Sequence, residues 1–201
     1  SLMKVADIHQ VIELFELVRT KFDSSLTAFE LICPKLLHLV KEANPDLSIP
    51  MHIDENWFVL IERSSSETWN DAQGLFELTI AAAVEAGLIV DAVIASSISQ
   101  AKQLWSIREL VPEAQSELGP NIKHDISLPI SQLASFVEEA GAQIKSYWPD
   151  TEVLVFGHVG DGNLHYNIAA NRKAFSDMHE TRRHAISDLV HDLVYLRNGS
   201  M

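Results

Sequence analysis

The chain has 201 residues, of which 47% are hydrophobic, and this is enough to form one domain with a substantial core. Its 15 Lys and Arg face 28 Asp and Glu, and the net charge of -13 argues against nucleic acid or an anionic membrane surface as a partner. A single cysteine excludes an internal disulfide, and the sequence resembles neither a signal peptide nor a membrane-spanning segment, so we expect a cytoplasmic protein.

The first half of the chain is predicted to alternate between helices and strands. We interpret residues 1–3 as a cloning remnant, so the predicted domain spans residues 4–201. Cys33, at the start of a predicted helix, is expected to be a small buried residue without a chemical role. In chain order the predictions are a helix from residue 8 to about 18, a strand at 26–32, a helix at 34–43, a strand at 57–61, a helix at 67–86 and a strand at 88–95.

The second half continues with a helix that carries Trp105 and Arg108 one turn apart and that Pro112 should end or bend. Apolar spacing from Phe175 to Leu196 predicts a final helix. Between these helices we predict a strand at 122–128, a helix that ends near residue 148, and strands at about 152–158 and 163–169. Alternation alone favours a parallel α/β sheet, although the last two strands are close enough to form an antiparallel hairpin.

The segment Gly-His-Val-Gly-Asp-Gly-Asn-Leu-His at residues 157–165 is the most informative part of the sequence. Asp161-Gly162 is a strong signal for a two-residue type I′ turn, in which both central residues have positive φ. Such a turn would place His158 directly opposite His165, with their Cβ atoms about 5 Å apart. Two imidazoles at this spacing can bind one divalent ion, but a hairpin that merely carries two histidines is an equally good interpretation. Asp161 is expected to shape the turn before it serves as a ligand.

This stretch resembles the motif Gly-His-x-Gly-Asp-Gly-Asn-Leu-His-x-Asn of the FAD-linked oxidase C-terminal domain, found in D-lactate, D-2-hydroxyglutarate and glycolate dehydrogenases. The segments Leu-Trp-Ser-Ile-Arg-Glu at 104–109 and Lys-His-Asp-Ile-Ser-Leu-Pro at 123–129 are similar to the same family. The resemblance implies an α+β fold in which a large, mostly antiparallel sheet, built from duplicated ferredoxin-like units, carries helices packed on one face. It also implies an oxidoreductase that uses FAD.

The resemblance further implies a set of site residues for oxidising a small 2-hydroxy acid. Arg108 would hold the substrate carboxylate through two parallel hydrogen bonds, and Lys123 would add a positive charge. His158 and His165 would bind a divalent metal, expected to be zinc, that acidifies the substrate hydroxyl. Asn167 would lie next to the substrate, although a structural role is equally compatible with the sequence.

The family pattern also contains parts that this chain lacks. An FAD-binding domain normally precedes the substrate domain. A Ser-x-Glu-His-Gly segment normally follows the last helix and supplies a third metal ligand and the presumed base, so the base is expected to lie beyond Met201. We therefore expect a fragment that has no catalytic base of its own, binds no FAD alone and needs the missing domain as its partner. Pro112 stands where some relatives place a hydroxyl residue.

Three other interpretations stay open on the sequence. The domain could be a free-standing module that binds a metal or a small acid, or a structural domain without catalytic activity. A rival metal site could be formed by His184, Asp188 and His191, which share one face of a predicted helix, but nothing in the sequence supplies a pocket there.

Overall fold

The computed structural model describes residues 1–64, 69–119, 121–170 and 180–201, and only the backbone of residues 69–71. The start of the helix predicted at residue 67 and the apolar positions Phe175 and Met178 lie outside this part. The strands are β1 (Leu2–Val5), β2 (Leu26–Ile32), β3 (Trp57–Arg63), β4 (Asp91–Val93), β5 (Asn121–Ile122), β6 (Asp125–Ser127), β7 (Thr151–His158) and β8 (Asn163–Ala170).

A capping side chain and prolines mark the ends of several helices that connect these strands. Asp7 caps the first by accepting a hydrogen bond from the backbone N–H of Gln10, and Pro34 occupies the first turn of the second. Leu110 separates the fourth and fifth helices next to Pro112, as predicted. The helices are α1 (Ile8–Phe22), α2 (Pro34–Ala43), α3 (Trp69–Glu85), α4 (Ile98–Glu109), α5 (Val111–Ala114), α6 (Ile130–Tyr147) and α7 (Glu180–Tyr195).

The described strands form one sheet in the order β4-β1-β3-β2-β7-β8-β5, and β6 also pairs with β8. In the first half, β1-α1-β2-β3-α3-β4 has the strand order 4-1-3-2 of a ferredoxin-like unit. The second half repeats this topology with β6-α6-β7-β8-α7 and an isolated bridge between Ser127 and Ser200 in the place of the last strand. Antiparallel pairing of β2 with β7 joins the two units. The predicted α+β fold with duplicated units is therefore confirmed.

The two faces of the sheet have different partners. On the first face, Phe29 packs edge-on against Phe15 of α1 at 5.1 Å, and Tyr166 packs against Phe136 of α6 at the same distance. The second face, which we call the polar face, carries Glu30, Glu62, Phe156, His158 and His165. Part of α4 lies against the polar face through Trp105 and Arg108. The polar face also carries buried apolar residues, among them Ile32, Phe58 and Leu60, so its polar side chains lie beside a part of the core.

Some predictions about individual elements are wrong. Leu2 and Met3 have no exposed surface and lie in β1, which pairs with both β3 and β4, so these residues belong to the core. The apolar run 88–95 forms a strand only at Asp91–Val93, and the run 122–128 is divided into β5 and β6. Each strand pair among the described residues is antiparallel, which rules out the parallel sheet that alternation alone suggested.

Candidate functional site

The connection between β7 and β8 is longer than the predicted two-residue turn. Residues Val159–Asp161 form a 3₁₀ turn, and Gly162 follows in the left-handed region with φ 68°. Asp161 does not adopt the positive φ that a type I′ turn requires, because among the described non-glycine residues only Asp23 and Asn198 do so. His165 therefore pairs with Phe156, and the predicted opposition of His158 and His165 is wrong. The register differs by two residues, so both histidines stay on the polar face.

Glycine is required at the end of this turn. A Cβ atom added to Gly162 would lie 2.0 Å from the carbonyl oxygen of Leu128, and the N–H of Leu128 donates to the Gly162 carbonyl at 2.9 Å. A Cβ atom on Gly157, where φ is 149°, would lie 2.5 Å from the carbonyl oxygen of Asn163. The glycines of the motif thus allow close backbone packing that fixes the position of both histidines.

A buried carboxylate lies at the centre of the polar face. Glu30 is 1% exposed, and its cross-strand neighbour on β7 is His158. Nε of Arg108 donates to Oε2 of Glu30 at 2.8 Å, and Nδ1 of His158 lies 2.7 Å from Oε1. Glu30 therefore joins Arg108, on a helix, to His158, at the end of a strand.

Phe156 supports two of the predicted site residues. The guanidinium carbon of Arg108 lies 4.6 Å from the centre of the Phe156 ring, within the range of a cation–π interaction. The imidazole of His165 stacks on the same ring with the centres 4.4 Å apart. Nδ1 of His165 also pairs with the carboxylate of Asp125, which faces it from β6. Arg108, His158 and His165 are thus brought together around Glu30 and Phe156.

The side chains of this cluster differ in accessibility. The His158 side chain is 51% exposed and that of His165 is 33% exposed, whereas the Arg108 side chain is 14% exposed. His158 also borders a cavity of about 330 Å³, lined in addition by Phe15, Thr27, Gly160 and Asp161 among others. A ligand can therefore reach both imidazoles, whereas most of the Arg108 side chain is buried.

The two remaining predicted residues lie beside the cluster. Lys123 is exposed and falls between β5 and β6, two residues from Asp125. Asn167 is 2% exposed, and its amide accepts from the backbone N–H of His124 at 3.2 Å and donates to Gln115 at 2.8 Å. Both ends of the Asn167 side chain are therefore already bonded within the protein.

Met201, beyond which the presumed base is predicted to lie, has an exposed side chain. The residue before it, Ser200, forms an antiparallel bridge with Ser127 of β6, the strand that also carries Asp125. Met201 therefore follows a residue that is tied to the same strand as the carboxylate partner of His165. A thioether cannot act as a base, so Met201 itself is given no catalytic role, and the position of the base stays a prediction.

His124 extends the interior network around Asn167. It is 4% exposed, and its ring nitrogens lie 2.8 Å from the carbonyl oxygen of Tyr166 and 3.2 Å from Oγ of Ser187. Burial lowers the pKa of His124 below its usual value, and the nearby His191 adds to this effect. The network fastens the segment that contains Asp125 to β8.

His158 and His165 suit the role of metal ligands in one respect, which is the position of their carboxylate partners. Each has a carboxylate at Nδ1, and this arrangement leaves Nε2 as the free ligand atom, as in carboxylate–histidine–metal sites. However, the part of the chain that the structure describes contains no group of three or more His, Cys, Asp or Glu side chains placed to hold a metal ion. This applies equally to the rival set on α7, where His184 and Asp188 are exposed. Two ligands are therefore the most that these residues offer.

Comparison with known proteins decides the family. The sequence matches the family described as FAD linked oxidases, C-terminal domain, over residues 1–201. The chain belongs to this family. It is 36% identical over 145 residues to "D-2-hydroxyglutarate dehydrogenase, mitochondrial" of Arabidopsis thaliana, a match that covers 72% of this chain and 25% of that protein. It is 31% identical over 195 residues to D-2-hydroxyglutarate dehydrogenase of Stutzerimonas stutzeri (strain A1501), covering 97% of this chain and 41% of that protein.

Solved structures share the fold of this FAD-linked oxidase domain. An alkyldihydroxyacetonephosphate synthase matches with a TM-score of 0.57 at 8% identity, over 100% of this chain and 40% of that one. The 4-ethylphenol oxidase from Gulosibacter chungangensis matches with a TM-score of 0.55 at 10% identity, over 97% of this chain and 43% of that one. At such low identity these matches support the fold alone.

Three residues of the cluster around Glu30 and Phe156 are not identified by the sequence. Glu30 is the one charged residue of β2, and this is the signal that could have identified it. Phe156 looks like an ordinary core residue, and Asp125 stands out only as part of a motif. Cys33 is buried, as predicted, and burial raises its pKa. Among the described helices, none is long and apolar enough to cross a membrane.

Proposed function

We propose that this chain is the substrate-facing domain of an FAD-dependent dehydrogenase that oxidises a D-2-hydroxy acid to the 2-oxo acid. The cluster of Arg108, His158 and His165 around Glu30 and Phe156 is the observation that carries this proposal. The chain spans between 25% and 41% of the two dehydrogenases compared above, so the activity and partners of the whole protein are part of the proposal.

Arg108 is proposed to bind a carboxylate of the substrate. Its Nε is bonded to Glu30 and its guanidinium lies over Phe156, so the end that carries the two Nη atoms is the part left for an incoming anion. A guanidinium held in this way offers two parallel N–H donors to a carboxylate. Lys123 is proposed to add positive charge to the same region. Asn167 would have a structural role beside the site, because its amide is buried and both of its ends are hydrogen-bonded within the protein.

His158 and His165 are proposed to bind a divalent cation, most simply zinc, through their Nε2 atoms. Such a cation, when bound, lowers the pKa of a coordinated hydroxyl group. Carboxylate oxygens of Glu30 and Asp125 lie at the Nδ1 atoms of the two rings, which supports assigning this role to the Nε2 atoms. FAD, supplied mainly by another domain, would accept the hydride from C2 of the substrate. We assign no base within this chain.

D-2-Hydroxyglutarate is the first substrate to test, because the relatives compared above are named as dehydrogenases of this acid. D-Lactate and glycolate stay in the proposal as smaller members of the same class. The compartment also stays a prediction, since the name of the Arabidopsis thaliana relative ends in "mitochondrial" and that of the bacterial relative does not.

The test measures dye reduction by the flavin-containing protein that carries this chain. We expect D-2-hydroxyglutarate to be oxidised faster than its L-enantiomer, and each activity to fall after Arg108→Lys. Oxidation of none of the three acids would rule out the proposal in favour of a binding module or an inert structural domain. Equal rates for both enantiomers would contradict the proposed specificity for the D form.

A further inference from the structure

The helix that carries Arg108 has little apolar packing of its own. Of the 12 residues of α4, Leu104 and Ile107 are buried. The helix also borders two cavities, one of about 240 Å³ lined in part by Ile98 and one of about 230 Å³ lined in part by Gln100. Because close packing normally fixes a helix on a sheet, the position of α4 must depend on other contacts as well.

Hydrogen bonds to two carboxylates join the last turns of α4 to the sheet. Nε1 of Trp105 donates to Oε2 of Glu62 at 2.6 Å. Nε of Arg108 donates to Oε2 of Glu30 at 2.8 Å, and the three-residue spacing puts both donors on one side of the helix, about 5 to 6 Å apart between their Cβ atoms. Glu30 pairs with Leu60, so Glu62, two residues further along β3, is its diagonal neighbour at about 7 to 8 Å. One turn of α4 therefore suits the spacing of the two carboxylates.

The acceptor of the indole N–H is itself held in place. Glu62 is exposed, but Oγ1 of Thr27 on the neighbouring strand β2 donates to its Oε1 at 3.3 Å. The other oxygen, Oε2, accepts from Trp105, whose indole offers one donor and no acceptor. A charged acceptor makes this bond stronger than one between neutral groups. The Trp105–Glu62 bond therefore fixes α4 one turn before Arg108.

We propose that Trp105 and Glu62 are a positioning pair that sets the place at which the Arg108 guanidinium receives a substrate carboxylate. The bond to Glu30 holds Nε of Arg108, and the Trp105–Glu62 bond holds the preceding turn, so rotation or sliding of α4 would break at least one of the two bonds. The pair acts through Arg108 and is assigned no contact with the substrate. The inference rests on the proposed function for the identity of the anion.

Three substitutions separate the hydrogen bond from the bulk of the side chains. Trp105→Phe keeps an aromatic ring but removes the donor, and Glu62→Ala removes the acceptor. Glu62→Gln is the conservative variant, because its amide oxygen can accept from the indole and its NH₂ group can donate to Thr27. The matched control is Glu138→Ala, which removes an exposed carboxylate that joins α6 to His9 of α1 at 3.0 Å, on the other face of the sheet.

The experiment uses the flavin-containing protein and three measurements. Indole ¹H and ¹⁵N shifts report the Trp105 bond, calorimetry with 2-oxoglutarate reports binding without turnover, and steady-state kinetics with the acid that the wild type oxidises fastest report kcat and KM. We expect Trp105→Phe and Glu62→Ala each to weaken binding and raise KM by about 3- to 10-fold, with a smaller change in kcat. The double variant should be no worse than the more affected single variant, since both remove the same bond. Glu62→Gln should recover most of the loss, and Glu138→Ala should resemble wild type.

Several outcomes would overturn the inference. These are a normal KM in folded Glu62→Ala protein, additive losses in the double variant, an equal loss in Glu138→Ala, and a Trp105 indole shift that Glu62→Ala leaves unchanged. Because Glu62 is exposed, its variants are expected to fold even if Trp105→Phe does not.

The same measurements separate this inference from the proposed function. If the wild type binds 2-oxoglutarate but oxidises none of the acids, the proposed function is rejected, and the calorimetric series still decides the role of the pair. A wild type that neither binds the oxo acid nor oxidises a hydroxy acid would reject both proposals.

Discussion

The guanidinium of Arg108 lies over the ring of Phe156, 4.6 Å from its centre, and the imidazole of His165 stacks on the same ring. The ring of Phe156 thus helps to position the Arg108 guanidinium and the His165 imidazole, two proposed ligand-binding groups that come from different elements. A flat aromatic surface suits this purpose, since it attracts a cation without competing for its hydrogen bonds.

Phe156→Leu tests this support. Leucine keeps the site apolar but removes the ring, and loss of a cation–π contact worth about 0.5 to 2 kcal/mol should lower kcat/KM by roughly 2- to 30-fold. Phe29→Leu, on the opposite face of the sheet, is the control for loss of a buried ring. An equal effect of both substitutions on activity would show that Phe156 acts only through stability.

Arg108 should respond differently to two substitutions. Arg108→Lys keeps a positive charge beside Glu30 but loses the planar group, so kcat/KM should fall by about 10- to 150-fold with a modest change in thermal stability. Arg108→Ala leaves a buried carboxylate without its cation and should also cost about 3 to 5 kcal/mol of unfolding free energy. Urea denaturation and steady-state kinetics measure the two effects. A Lys variant with normal kinetics would move the carboxylate-binding role to Lys123.

Zinc binding should depend on both histidines of the β7–β8 connection. Replacing His158 and His165 by Ala together should abolish the calorimetric signal with zinc, because no third ligand is available among the described residues. His184→Ala, on the exposed face of α7, should leave binding unchanged. The reverse pattern would place the metal on α7.

The turn itself can be tested with two neighbouring glycines. Gly162→Ala would place a methyl group 2.0 Å from the Leu128 carbonyl oxygen at a positive φ, so it should lower the melting temperature by several degrees and weaken zinc binding. At Gly160 the nearest atom to an added Cβ is in the Phe15 ring, at 3.6 Å, which is an ordinary contact. Gly160→Ala should therefore resemble wild type in both measurements, and similar losses in both variants would contradict the role given to Gly162.

Stability should fall below neutral pH because of His124. Burial lowers the pKa of this residue in the folded state, whereas in the unfolded chain it titrates near 6.5. Protons then bind the unfolded state more readily at this residue, so the contribution of His124 to the free energy of unfolding is constant above about pH 7 and declines as the pH falls through 6.5, by up to about 1.4 kcal/mol per pH unit. His124→Gln should reduce this slope in urea titrations between pH 7 and 5. An unchanged slope would contradict the role given to His124.

Much of the fold follows from local sequence signals. The bounds of β2 and α2 match the prediction, since Pro34 favours the first turn of a helix and the polar Asn44 follows its last turn. The prediction misses the strand at residue 2 because it treats Leu2 and Met3 as a remnant, although their apolar character suits the core they occupy. The duplicated topology could be inferred only through the family, as no local pattern specifies strand order.

The sequence singles out three residues of the candidate site but does not predict its geometry. Arg108, His158 and His165 lie together, yet the register between the strands depends on the φ value of Asp161, which the sequence alone does not specify. Glu30 could not be assigned a role, because its partners are distant along the chain and meet it only when the two halves of the sheet pair.

The pairing of β2 with β7 has a consequence for how the chain could be divided. Each of these strands would be an open sheet edge if its ferredoxin-like unit were produced alone, and unpaired apolar edges promote association with other chains. Glu30 and His158 face each other across this same junction. A cut between the two repeats would thus separate Glu30 from His158, and two co-expressed halves would bring these side chains together again only by rebuilding that single strand pair.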